Sequence, residues 1–176
     1  MMRKIPTQII PSLLVQSEKE FKKNIIGLAD SVQMIQFDIA DGKFVSNTTW
    51  NDPKIVDATV KMEIELHLMV ENPLAELNLW TNTTKVKRIL VHIETINNKK
   101  FLVIKKFCQK HKWQFGLALK PETSLDSITP YINDITTALF LSVSPGFQGQ
   151  SFIPQVLDKI KECKKPSKSL LKMMFP

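Results

Sequence analysis

The chain has 176 residues, 43% of them apolar and 23% charged, which fits one globular domain and excludes disordered or fibrous compositions. No apolar run approaches the roughly 18 residues of a membrane span, and Met1-Met2-Arg3-Lys4-Ile5-Pro6 lacks an apolar run of signal-peptide length, so a cytoplasmic protein without a membrane partner is expected. The net charge of +7 sits mainly in residues 159–176, where six lysines face Glu162 alone; with no aromatics interleaved, it reads as solvated surface and not as a nucleic-acid site.

Thr7 to Leu14 reads as a strand, and Ser17-x-x-Glu20 as a capping box opening a helix with Phe21, Ile25 and Leu28 on its buried side. A strand over Met34–Ile39 is followed by a polar loop with Asp41-Gly42 and a helix from Pro53 to about Val60. A strand over Glu63–Met69 leads to a helix beginning near Pro73. The strand Arg88–Ile93 precedes a helix over about Lys99–Lys112, with Phe101, Ile104 and Phe107 buried. The strand Trp113–Leu119 precedes a helix near Leu125–Ile132. A sixth strand, Ala138–Val143, leads through a Gly-containing loop to a helix that Pro154 is suited to start.

Six βα units in series imply a parallel sheet covered by helices, either doubly wound or a (βα)8 barrel, with functional groups at the carboxyl ends of the strands. Gln36 and Asp38 are two residues apart and share one side of their strand; so do Glu65, His67 and Met69. His92 and Glu94 repeat the spacing. A polar face set against a face of Ile, Leu and Phe is expected at the inside top of a barrel, where such groups need a ligand or one another. Glu65, His92 and Glu94 are read as interior polar groups, and His111, Trp50, Trp80 and Trp113 as structural. Alone, Asp38-x-x-Asp41-Gly42 would read as a turn. Cys108 and Cys163 fit neither a disulfide framework nor a thiolate metal site.

The stretches Ile10-Pro-Ser-Leu13, Phe37-Asp-Ile-Ala-Asp-Gly-Lys-Phe-Val45 with Asn47, and His67-Leu-Met-Val-Glu-Asn-Pro73 occur in that order. Val91-His-Ile-Glu94, Gly116-Leu-Ala-Leu-Lys-Pro121 and Ser142-Val-Ser-Pro-Gly-Phe-Gln-Gly-Gln-Ser-Phe-Ile-Pro154 follow. In these stretches, spread over residues 10–163, the chain resembles the ribulose-phosphate 3-epimerase family. The resemblance implies a TIM-barrel fold of the ribulose-phosphate-binding type, here truncated after six βα units. Residues 1–165 would form the incomplete barrel and residues 166–176 an unmatched basic and apolar tail.

It also implies interconversion of D-ribulose 5-phosphate and D-xylulose 5-phosphate by metal-assisted proton transfer at C3, with a divalent metal (zinc, iron or manganese). Asp38 matches the family's first acid/base aspartate and metal ligand, and His67 a metal-ligand histidine. Ser12 and Met69 match substrate-contacting positions, and Gly146, Phe147, Gln148 and Gly149 the substrate-binding turn. Gln36 stands where the family has a metal-binding histidine, and an amide oxygen is a poorer zinc ligand. Ala40 and Leu141 replace methionines. The family's second acid, in a later Asp-Gly-Gly stretch, has no counterpart, so weak metal binding and impaired turnover are expected. Two alternatives stand beside the epimerase: a non-catalytic sugar-phosphate binder or barrel fragment, and an epimerase of another ketose phosphate. Two open sheet edges would favour a homo-oligomer.

Overall fold

The computed structural model describes residues 7–28, 31–163 and 172–174. Its strands are β1 (Ser12–Leu13), β2 (Met34–Ala40), β3 (Glu63–Met69), β4 (Val86–His92), β5 (Gln114–Leu119), β6 (Thr137–Phe140) and β7 (Lys172–Met174). All pair in parallel, each with its neighbour in sequence, as one sheet in the order β1 to β7. Helices α1 (Glu18–Ile25), α2 (Pro53–Thr59), α3 (Pro73–Leu79), α4 (Asn98–Lys110) and α5 (Val156–Cys163) alternate with them. This is the curled, open form of a (βα)8-type barrel. Of the 166–176 segment only β7 is described, and it adds a strand beside β6 that the apolar pattern did not suggest.

The helix starts follow from local chemistry. Ser17 accepts from the Glu20 N–H, Asp52 from those of Lys54 and Ile55, Asn72 from that of Ala75, and Asn97 from that of Lys100. Pro53 and Pro73 take the first helical positions, where a missing N–H costs nothing. The capping box differs in one bond: Glu20 Oε2 accepts from Gln16 N at 2.7 Å.

Three sequence expectations are corrected. The strand drawn over Thr7–Leu14 shrinks to Ser12–Leu13, and Ile9 is 80% exposed. The helix expected near Leu125–Ile132 is two 3-10 turns, Leu125–Ser127 and Thr129–Tyr131; Pro130 has no N–H to continue an α-helix. Pro154 opens a tighter turn, accepting from Leu157 N at 3.0 Å, before α5 begins at Val156.

Period-two alternation divides the strands into two faces. Outward residues, among them Ile35, Phe37, Leu66, Leu68, Ile89, Val91, Phe115 and Leu117, pack with Phe21, Val56, Leu77, Trp80, Phe101, Ile104 and Ile160 of the helices. Each such side chain, fully buried, contributes roughly 1.5–3 kcal/mol. Cys108 belongs to this layer, and burial pushes its thiol up to about 12, which keeps it unreactive. The inner face is different: Leu90, Ala118, Leu139 and Leu141 form one small cluster and Ala40, Val45 and Met69 another, and between them lie the buried polar residues Gln36, Asp38, Glu65, His67, Arg88, His92 and Thr137.

Candidate active site

The parallel register of β2 on β3 sets Gln36 opposite Glu65, Asp38 opposite His67 and Ala40 opposite Met69, so the polar positions of the two strands share the inner face. Lower in the interior, Arg88 meets the fully buried Glu65 at 2.6 Å and donates through Nε to Gln114 at 3.1 Å. Burial holds the Glu65 carboxyl above its usual range despite the Arg88 cation, and its Oε1 lacks a hydrogen-bond partner.

Above that pair the groups converge. Asp38 Oδ1 accepts from Gln36 Nε2 at 2.8 Å and lies 2.9 Å from His67 Nδ1, while Gln36 Nε2 is 3.5 Å from the same Nδ1. All three side chains are buried in the chain, yet all three line a cavity of about 400 Å³ at the carboxyl ends of the strands. Ser12 and Met69 lie on its wall, and so do Gly146, Phe147, Gln148 and Gly149. The structure therefore brings together every site residue expected from the sequence.

The turn that closes the cavity needs its glycines. Gly146 has φ +110°, and a Cβ there would approach Val45 Cβ to 3.0 Å; Gly149 has φ +73°. Asn47 Nδ2 donates to the Gly146 carbonyl at 2.7 Å, tying this turn to the loop after β2. Gln150 Nε2 donates to the carbonyls of Ser144 (2.5 Å) and Phe147 (2.8 Å). The two aspartates of Asp38-x-x-Asp41-Gly42 separate by role. Asp38 faces the cavity, whereas Asp41 accepts from the backbone N–H groups of Lys43, Phe44 and Glu71 and folds the loop. Burial acts to raise the Asp41 carboxyl, but those backbone bonds outweigh it and hold it below its usual range.

Sequence reasoning missed two parts of the site. Leu14 and Ser142 also line the cavity, although nothing in their type or spacing marks them. His92 is in hydrogen-bond reach of His67, with 3.0 Å between their Nε2 atoms, and extends the polar group away from the cavity.

A family model described as the ribulose-phosphate 3-epimerase family matches residues 8–173. The chain belongs to that family. The ribulose-phosphate 3-epimerase of Chlamydia trachomatis serovar D is 34% identical over 131 residues, covering 73% of this chain and 54% of that protein. The ribulose-phosphate 3-epimerase of Synechocystis sp. is 32% identical over 159 residues, covering 87% of this chain and 67% of its own. The chain spans little more than half the length of the first curated relatives it matches. Among solved structures, one from Sorangium cellulosum, assigned as a mandelate racemase/muconate lactonizing enzyme, superposes with a TM-score of 0.57. It covers 96% of this chain and 46% of its own at 10% identity, a likeness of fold alone.

The divalent metal implied by the epimerase resemblance can be tested against this donor set. Asp38 Oδ1 and His67 Nδ1 are ligand atoms of the right type, but Gln36 turns its NH2 group toward them, not its oxygen. Among the described residues no group of three or more His, Cys, Asp or Glu side chains converges. Two donors fall short of the three protein ligands a catalytic zinc keeps. The described residues do not make a metal site.

Proposed function

We propose that this site removes the proton at C3 of a pentulose 5-phosphate, the step that interconverts D-ribulose 5-phosphate and D-xylulose 5-phosphate, with Asp38 as the base. The observation that carries the reading is the placement of Asp38, the one carboxylate lining the cavity among the described residues, opposite an anion-suited glycine turn. Both of its hydrogen bonds use Oδ1, so Oδ2 is the oxygen left to take a proton. Gln36 and His67 fix the carboxylate, which makes its approach to the substrate carbon reproducible. A proton next to a ketone leaves only if the enediolate oxygens are stabilised; Ser12 supplies a hydroxyl donor on the same wall. Small residues at Gly146 and Gly149 let backbone N–H groups approach the phosphate, while Met69 and Leu141 form the apolar lining. Residues 1–165 are the unit to which this function is assigned. The setting we assign is the cytoplasm; no helix among the described residues is long and apolar enough to cross a membrane.

The same count of carboxylates favours a second reading, a sugar-phosphate-binding relative without turnover, because inversion at C3 needs a second acid on the opposite face. One experiment separates the two. Ribulose 5-phosphate is incubated with the protein in D2O, and deuterium at C3 is followed by proton NMR beside a coupled assay for xylulose 5-phosphate. Exchange in the wild type, lost by at least a hundredfold in Asp38→Asn, is expected of a proton-removing site. No exchange in the wild type would overturn the assignment of Asp38 as base.

A further inference from the structure

The turn between β6 and α5 treats its two kinds of backbone group differently. Three of its carbonyls are held by side-chain amides. Asn47 Nδ2 donates to the Gly146 oxygen at 2.7 Å, and Gln150 Nε2 donates to the oxygens of Ser144 at 2.5 Å and Phe147 at 2.8 Å. The N–H groups are left over. Among the described residues, no carbonyl or side chain accepts from the N–H of Phe147, Gln148 or Gly149. A loop folded only on itself pairs carbonyl with N–H, as a β-turn does. Here two side chains take the carbonyls and the N–H groups stay bare.

We propose that Gln150 and Asn47 are positioning residues that tie back the carbonyls of this turn and so present the Phe147 and Gln148 N–H groups to the phosphate of the substrate. The inference rests on the reading of residues 146–149 as the phosphate-facing wall, and adds to it the two side chains that orient that wall.

A trans peptide unit is planar, with its C=O and N–H on opposite sides, so fixing one direction fixes the other. No peptide bond among the described residues is cis. The Gly146 carbonyl belongs to the unit that carries the Phe147 N–H, and the Phe147 carbonyl to the unit that carries the Gln148 N–H. Asn47 therefore orients the first donor and Gln150 the second, each away from the amide that holds its carbonyl. Both donor residues line the cavity. The third held carbonyl, that of Ser144, precedes Pro145, which has no N–H to present. That bond fixes Gln150 itself, because its NH2 group is then engaged twice. Asn47 is braced in turn: its Oδ1 accepts from Gln16 Nε2 at 3.3 Å and its carbonyl from Gly42 N at 2.9 Å.

The charges around the cavity make such donors necessary. Among the described residues no lysine or arginine lines it, while Asp38 does. An anion there finds its positive partners in backbone N–H groups, and carbonyl oxygens turned the same way would repel it. Holding the oxygens back is therefore as important as leaving the hydrogens free.

The test follows the two amides separately. Gln150→Met keeps the reach of the side chain and removes both hydrogens, and position 150 is exposed, so the core is untouched. Uniformly 15N-labelled protein is titrated at pH 7.5 with inorganic phosphate and, in a second series, with ribulose 5-phosphate. In the wild type the Phe147 and Gln148 amide protons are expected to move downfield together. In Gln150→Met the Gln148 shift is expected to vanish, the Phe147 shift to remain, and Kd to rise roughly tenfold or more, the worth of one charge-assisted hydrogen bond. Asn47→Leu is expected to give the opposite pattern, losing the Phe147 shift and keeping that of Gln148. Unmoved amides in the wild type would overturn the proposal, and so would a Gln150→Met protein with the wild-type Gln148 shift and affinity. Loss of both shifts together in each variant would make the two side chains merely structural and would also overturn it. Should one variant fail to fold, the other decides; failure of both would refute a role confined to the donors. Phosphate binding can stand where deuterium exchange at C3 fails, and exchange where the phosphate shifts fail, so the two readings fall separately.

Discussion

Gly116 offers a test of how tightly the barrel interior is packed beneath the site. It sits on β5 between Leu90 of β4 and Thr137 of β6. A Cβ added there would lie 2.7 Å from Leu90 Cδ2, 2.7 Å from the Thr137 carbonyl oxygen and 3.1 Å from Thr137 Cβ. Leu90 is fully buried among Ala118, Leu139 and Leu141, so its side chain can turn away only into occupied space. The carbonyl is backbone in the neighbouring strand and moves only with the sheet. Overpacking of this kind costs roughly 1–3 kcal/mol, and the backbone contact places Gly116→Ala toward the upper end, about 2–3 kcal/mol. The loss of unfolded-state freedom returns about 0.4–1 kcal/mol of this. At roughly 2–4 °C per kcal/mol for a chain of this size, a net cost near 2 kcal/mol lowers Tm by about 4–8 °C. Gly27→Ala is the control, since a Cβ there meets nothing within 4 Å, and it is expected to leave Tm unchanged or raise it slightly. Thermal unfolding followed by far-UV circular dichroism measures both. A Gly116→Ala protein melting within about 1 °C of wild type would refute the packing argument.

Acidification should weaken the fold through His92. Its ring, held at about 4 in the folded chain against 6.5 otherwise, binds a proton in the unfolded state first, so stability is present above about 6.5 and is lost as pH falls toward 4. The full effect is about 3 kcal/mol, and urea denaturation from pH 7.5 to 4.5 should show it, with a flatter profile in His92→Gln. Gln36→His should convert the Asp38–His67 pair into a three-ligand set and raise zinc affinity in a chelator-competition titration. Wild-type protein purified with one tightly held zinc per chain would contradict the donor count given above.

The parity of Gln36 with Asp38, and of Glu65 with His67 and Met69, was legible in the sequence because a strand alternates faces with period two. The strand limits of β3, the cap at Ser17 and the helix start at Pro73 are local in the same way. What one chain cannot show is alignment between strands. Nothing in Glu63–Met69 or Val86–His92 announces the register shift at Ile64/Glu65 after which Glu65 pairs with Arg88 and His67 with Leu90, so that His92 comes within reach of His67. Leu125, Ile128 and Ile132 keep a helical spacing in the sequence, yet Pro130 between them breaks the segment into two 3-10 turns. Lys172–Met174 carries no alternating pattern long enough to mark a strand, and only its place beside β6 reveals it.

The tie between Asn47 and the Gly146 carbonyl joins distant parts of the chain across the cavity. Asp38 and His67 are separated by 29 positions and meet through adjacent strands, whereas Asn47 and Gly146 are separated by 99. For a bare chain the longer closure costs about 1 kcal/mol more in entropy, and it requires β3 through β6 to be in place. The base and its neighbours are thus brought together by contacts within the first half of the chain, while the anion-facing wall needs the distant second half. Enclosure of the cavity therefore depends on contacts between distant halves of the chain, whereas the pairing of its carboxylate with His67 does not.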